Sequence, residues 1–163
     1  MSATHPSLVR ALALAFAVAA TPAAAAPSRC KATLSGAVKA EFECLVAATE
    51  IEGGALFVLH AKDPVPGIPS VVPGAFEIPL PVQAGTHTLD TLGQGKASVA
   101  AEGGTLYVAS KTSGQRGEVT VTFTKAVKDA RSKGAYVVHG SYRARLVPAG
   151  GGKQGEVIVE ARF

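Results

Sequence analysis

The chain has 163 residues and a formal net charge of +4, with 47% hydrophobic and only 17% charged residues. This length suits one domain, and the composition excludes a disordered polyelectrolyte, which combines low hydrophobicity with high charge. The absence of Trp and Asn, and a single Met at position 1, argue against an aromatic nucleic-acid module, an N-glycosylated surface and a Met-rich copper site.

The N-terminal segment has the layout of a secretory signal peptide. A lone cation, Arg10, precedes an apolar run over residues 11–20, and Pro22 ends that run. A bilayer needs about 20 apolar residues, so a run of about ten is too short to cross it. A membrane anchor or a buried N-terminal helix is the alternative interpretation.

Small residues define the predicted cleavage site. Ala24 and Ala26 occupy the −3 and −1 positions that the signal-peptide pattern requires for cleavage after Ala26. We therefore predict a signal peptide over residues 1–26 and a single domain over residues 27–163. We expect the mature protein to be exported, periplasmic or extracellular, and to contain no transmembrane helix.

The two cysteines, Cys30 and Cys44, both lie in the predicted exported part. An oxidising compartment favours their pairing, and the local pattern indicates two strands joined by a turn at Ser35. If Leu34 faces Ala40 across that turn, Cys30 faces Cys44, at a separation that a disulfide can bridge after a small adjustment. The sequence therefore predicts a Cys30–Cys44 disulfide.

Two other roles for the cysteines fit less well. Thirteen residues separate Cys30 from Cys44, which is neither a C-x-x-C redox motif nor a zinc-ligand spacing. A lipidated Cys30 needs a small residue immediately before it, and Arg29 stands there.

Short strands separated by turns are predicted along the middle of the chain. Prolines lack an amide donor, so Pro79 and Pro81 indicate an edge strand, and the proline-rich residues 63–69 indicate a loop. The predicted strands here cover residues 38–46, 55–61, 76–82, 86–89, 97–101 and 105–110. Residues 112–117 are predicted to form the next loop.

The last third alternates most clearly between apolar and polar residues. Residues 118–124, 136–146 and 156–163 each have the period of two that indicates a strand with one buried face. No segment indicates a convincing helix, and the best candidate is residues 127–132. The prediction is an all-β fold, a single antiparallel β-sandwich of about eight or nine short strands.

Residues typical of catalysis do not form a recognisable motif. His60, His87 and His139 are far apart in sequence, and no nucleophile motif is present. We therefore predict no catalytic residues, no metal site, no cofactor and no enzymatic activity. The alternative is an enzyme whose site is assembled in space from these histidines and from carboxylates such as Asp63, Asp90 and Glu102.

Basic residues are spread along the chain rather than clustered. The densest group, Lys125, Lys128, Arg131 and Lys133, contains Asp129 and is typical of a solvated loop rather than a nucleic-acid surface. We predict no nucleic-acid partner.

A C-terminal Phe163 on an alternating strand is also typical of the closing strand of an outer-membrane β-barrel. Such barrels need strands of about 9–11 residues and aromatic girdles, whereas this chain is 6% aromatic and has six prolines between residues 63 and 82. A small outer-membrane barrel is therefore the alternative to the exported sandwich.

Several segments resemble a known pattern. Residues 85–89 (GTHTL), 117–121 (GEVTV), 139–142 (HGSY) and the final strand ending in Phe163 are similar to small exported bacterial β-sandwich proteins of an uncharacterised family. The resemblance covers roughly residues 85–163 and implies a secreted or envelope-associated sandwich without catalytic residues to transfer. We expect the protein to act by binding an unidentified envelope or protein partner, through the loops at residues 62–74 or 112–117.

Overall fold

A computed structural model describes residues 27–112, 116–151 and 153–163. Ala24, Ala26 and the rest of the predicted signal peptide lie outside these ranges. Nowhere in the described ranges is there a helix long and apolar enough to cross a membrane.

Across the described residues, ten strands form one antiparallel sheet, which confirms the predicted all-β fold and exceeds the predicted eight or nine strands. Their bounds are β1 Ser28–Gly36, β2 Ala40–Ile51, β3 Gly54–Ala61, β4 Ser70–Ile78, β5 Gly85–Thr88, β6 Gly95–Ala100, β7 Leu106–Ser110, β8 Glu118–Lys128, β9 Ala135–Pro148 and β10 Val157–Arg162.

The sheet curls until its two halves face each other. The strand order is β10-β1-β2-β3-β4-β6-β7-β9-β8-β5, and β10 also pairs with β9. The long β9 pairs with β2 near its start, through Tyr136 and Ala48, and with β7 near its end, through Val147 and Val108. One continuous sheet therefore supplies both layers of the sandwich.

Aromatic side chains fill the space between the layers. Phe57 of β3 is fully buried, and its ring centroid lies 5.6 Å from that of Phe123 and 5.8 Å from that of Phe163. Tyr142 is also buried and donates a hydrogen bond to the Pro73 carbonyl. Burial raises the pKa of this phenol, so it remains a neutral donor inside the core.

Two local predictions were wrong. β4 ends at Ile78, before Pro79 and Pro81, and it is a central strand that pairs with both β3 and β6. The two prolines follow the strand and so remove no ladder hydrogen bond. β4 also begins at Ser70, so part of the predicted 62–74 loop is strand.

The helix candidate at residues 127–132 is the end of β8 followed by a turn. An irregularity in the register between Phe123 and Lys125 shifts the strand by one residue. Beyond it, the side chains that face the core and those that face solvent exchange positions, so the rest of β8 does not continue the period of two. Gly140 lies opposite this irregularity. A Cβ there would collide with the Thr122 carbonyl, so glycine lets the two strands approach.

Three carboxylates have pKa values lowered chiefly by a hydrogen bond from a basic side chain: Glu43 by Lys62, Glu50 by Lys128 and Glu118 by Arg145. Because these pKa values are lower in the folded protein, the unfolded chain binds more protons than the folded protein as pH falls. The stability that the three ion pairs contribute is therefore present above the ordinary pKa of 4.5 and is lost below it. We expect the urea midpoint of unfolding to fall as pH drops below that value. Lys62→Gln, which removes one partner, should flatten this dependence, and a midpoint independent of pH in the acid range would contradict the assignment.

Candidate functional site: a cationic cavity on the outer face

A cavity of about 830 Å³ opens on the outer face of the sheet, where β9, β10, β1 and β2 lie side by side. Four cations and two carboxylates line it: Arg29, Lys31, Arg143, Arg162, Glu43 and Glu160. We call it the cationic cavity, because its charged lining has an excess of positive charge.

The strand alternation places the cations outward. On β1, Cys30 and Ala32 are 6% and 1% exposed, so Arg29 and Lys31 between them face solvent. On β10 the same alternation turns Arg162 outward next to the buried Ala161.

The register brings cations from opposite ends of the chain together. Lys31 lies directly opposite Arg162 in the β1–β10 pairing, and Arg29 is the next residue on the same face of β1. Neighbouring strands are about 4.8 Å apart, so these charges share one small area. Like charges directly opposite each other destabilise a sheet, so the Lys31–Arg162 pair is unfavourable, whereas on its other side Lys31 lies opposite Glu43 of β2.

The carboxylates at the cavity are already paired. Glu160 Oε1 lies 3.4 Å from Arg143 Nη1, and Glu43 Oε2 accepts a hydrogen bond of 2.7 Å from Lys62 Nζ. No ion pair within the described ranges involves Arg29, Lys31 or Arg162. Lys31 lies opposite Glu43 in the β1–β2 register, but none of the three cations has a described carboxylate within ion-pair distance.

Glu43 remains ionised next to this group. The hydrogen bond from Lys62 is the main cause that lowers its pKa, and the nearby charges of Arg29 and Lys31 add smaller contributions. Its negative charge is shared with Lys62, which lies outside the cavity lining, so Glu43 neutralises the cavity only in part.

The predicted disulfide lies directly beneath the cavity. Cys30 and Cys44 are opposite each other in the β1–β2 register, and their sulfur atoms are bonded at 2.03 Å, with Cα atoms 4.8 Å apart. Both side chains point into the core. The bond therefore holds the start of β1, which carries Arg29 and Lys31, against β2.

Among the described residues, no hydrogen bond or ion pair joins the histidines to the carboxylates considered for catalysis. His60, His87 and His139 lie on β3, β5 and β9. The residues that the structure describes also contain no group of three His, Cys, Asp or Glu side chains that could hold a metal ion.

Among the alternative carboxylates, Asp90 forms an ion pair with Arg116, and Asp63 lies 3.7 Å from Lys62. Burial lowers the pKa of His87, whose ring packs edge-on against Phe123 at 5.6 Å. That contact indicates a packing role for this histidine.

The basic segment and the described residues of the 112–117 loop lie outside the cationic cavity. In the basic segment around residues 125–133, Lys128 pairs with Glu50 at 2.8 Å, and Arg131 lies 3.5 Å from Asp129. Most of the predicted 112–117 loop, residues 113–115, lies outside the described ranges.

The cationic cavity itself was not found from the sequence. Its cations come from β1, β9 and β10, and Lys31 is separated from Arg162 by most of the chain. The alternation along the first strand indicates that Arg29 and Lys31 face solvent, but it does not predict that the first strand pairs with the last.

No protein-family model, curated protein or solved structure matches the chain.

Proposed function

We propose that the protein is an exported, non-enzymatic β-sandwich that binds an anionic ligand bearing phosphate groups through the cationic cavity. The observation that carries this proposal is the group of three cations, Arg29, Lys31 and Arg162, gathered in one concave surface without an ion pair among the described residues. A bound anion would satisfy all three and relieve the repulsion between Lys31 and Arg162.

The chemistry of these side chains suits phosphate. Arg presents a planar fork of donors that matches two phosphate oxygens, and Lys adds a compact charge. The three cations without an ion pair in the described ranges supply two Arg forks and one Lys, and Ser141, opposite Arg162 on β9, adds a hydroxyl that can donate. Such a set binds and orients an anion, and it contains no nucleophile paired with a base.

Export is supported by the signal-peptide pattern and by the disulfide, which persists in oxidising compartments. Cleavage after Ala26 would also create an amino group on Pro27, two residues before Arg29. That cation would add to the charge at the start of β1. Fractionation of cells that express the full chain, with recovery in the periplasm or medium of a form shortened at Pro27, tests export.

Arg162→Glu should change folding stability and phosphate binding in opposite directions. A carboxylate at this position faces Lys31, so the opposed like charges become an opposite pair, which should raise the free energy of unfolding by a few tenths to about 1 kcal/mol. The same change removes one donor group and repels phosphate, so the affinity for pyrophosphate should fall by at least about tenfold, the value of one charged hydrogen bond. Isothermal titration with pyrophosphate and urea unfolding measure the two effects.

Lys96→Glu is the matched control. Lys96 is exposed on β6, outside the cavity lining, so its reversal should leave pyrophosphate affinity within about twofold. The proposal fails if wild-type protein does not bind pyrophosphate, or if Arg162→Glu and Lys96→Glu weaken binding equally.

A further inference from the structure

An apolar stripe continues the outer face beyond the cationic cavity. On β2 the outward residues change from charged, at Glu41 and Glu43, to apolar, at Leu45 and Ala47. On β3 the outward residues are Leu56, which is 36% exposed, the half-buried Val58 and the exposed His60. We call Leu45, Ala47, Leu56 and Val58 the apolar stripe.

Register places the stripe and the cavity in one continuous surface. Leu45 lies directly opposite Arg29 on β1, and on its other side it lies opposite His60 of β3. One row further along β2, Ala47 is opposite Val58. The cationic cavity and the apolar stripe therefore meet along β2, where Arg29 is adjacent to Leu45.

We propose that this combined surface docks on a lipid bilayer that contains acidic phospholipids, with the cationic cavity on the phosphate headgroups and the apolar stripe at the acyl boundary. This inference rests on the proposed function, because it uses the same cavity, and it specifies the phosphate as a lipid headgroup. A free phosphate compound would use the cations alone and leave the stripe in water.

Charge complementarity favours a bilayer as the occupant. Membrane-surface binding gains from buried apolar area together with attraction between cations and acidic lipids, and this face offers both side by side. A protein partner would be expected to use aromatic anchors, whereas the stripe contains only Leu, Val and Ala.

The Leu56→Thr/Val58→Thr double variant tests the lipid contact. Threonine is β-branched, which suits a strand, but it removes apolar surface, and neither residue lines the cavity. In flotation assays the wild type should bind vesicles of phosphatidylcholine with phosphatidylglycerol and not vesicles of phosphatidylcholine alone. The double variant should lose about tenfold or more in vesicle binding while its pyrophosphate affinity changes by less than about twofold.

Two further variants complete the design. Leu106→Thr removes a 44% exposed leucine from β7, away from the stripe, and should leave vesicle binding unchanged. Arg29→Gln should weaken vesicle binding by about fivefold, the contribution of one cation near an acidic surface. If the double variant does not fold, as judged by its circular dichroism, Leu56→Thr alone replaces it.

The outcomes distinguish the two proposals. Pyrophosphate binding without vesicle binding overturns the lipid inference and leaves the proposed function standing. Vesicle binding that is unchanged in the double variant also overturns the lipid inference. Failure of the wild type to bind either probe overturns both.

Discussion

Replacing Phe57 with alanine is expected to lower the free energy of unfolding by about 3–5 kcal/mol, the range for deleting a buried Phe side chain. Phe57 is fully buried and packs against three other aromatic rings, with centroids 5.6 Å from Phe123, 6.3 Å from Tyr142 and 5.8 Å from Phe163. Its loss would leave a cavity between the two layers, because closely packed neighbours relax only in part.

Urea unfolding of Phe57→Ala and Leu56→Ala provides the comparison. Leu56 is the preceding residue on the same strand but faces outward at 36% exposure, so its truncation should cost far less. The assignment of Phe57 to the core face and Leu56 to the outer face of β3 would be wrong if the two substitutions destabilised the protein equally, or if Leu56→Ala destabilised it more.

Removing the disulfide with Cys30→Ser/Cys44→Ser is expected to lower the free energy of unfolding by about 3 kcal/mol, the chain-entropy value for a loop of this length. The serine hydroxyls would also stand in an apolar region, since Cys44 is 0% exposed, which adds to the loss. Because Cys30 lies between Arg29 and Lys31, a looser start of β1 should also weaken pyrophosphate binding.

Cys30→Ala/Cys44→Ala is the control for the buried hydroxyls, and it should retain most of the destabilisation that comes from the missing bond. Reduction of the wild type should reproduce the alanine variant. Two titratable thiols in protein recovered from the periplasm or medium would contradict the disulfide.

Local patterns made most of the fold predictable. The β1–β2 hairpin and its disulfide followed from the parity of Cys30 and Cys44, and β9 and β10 from their strict alternation. The predicted strand at residues 118–124 is shorter than β8, which continues to Lys128. A shift of one residue between Phe123 and Lys125 reverses which side chains face the core. The prediction also extended β4 past Ile78, since the residues that follow keep an alternating pattern outside the sheet.

Long-range pairing was the part that could not be predicted. The parity of Arg29, Lys31 and Arg162 gives the face on which each side chain lies, but it does not say which strands are neighbours. The contact of β1 with β10 depends on how the whole sheet curls, and β9 contributes by pairing with four other strands along its length. The cationic cavity exists only once that closure has formed.

The opposed Lys31 and Arg162 illustrate why this surface is a functional candidate. A residue choice that lowers fold stability without a local gain is expected where a site serves binding. Arg162→Glu is predicted to remove that cost and the binding together, a combination that a purely structural role for Arg162 does not predict.

A map of backbone amide chemical-shift changes during titration with pyrophosphate tests binding at the cationic cavity most directly. If the cationic cavity binds phosphate, the largest changes cluster at residues 29–31, 141–143 and 160–162, the segments around it, and Arg162→Glu abolishes them. Changes centred on residues 125–133, or spread evenly over all exposed lysines and arginines, would contradict binding at the cavity.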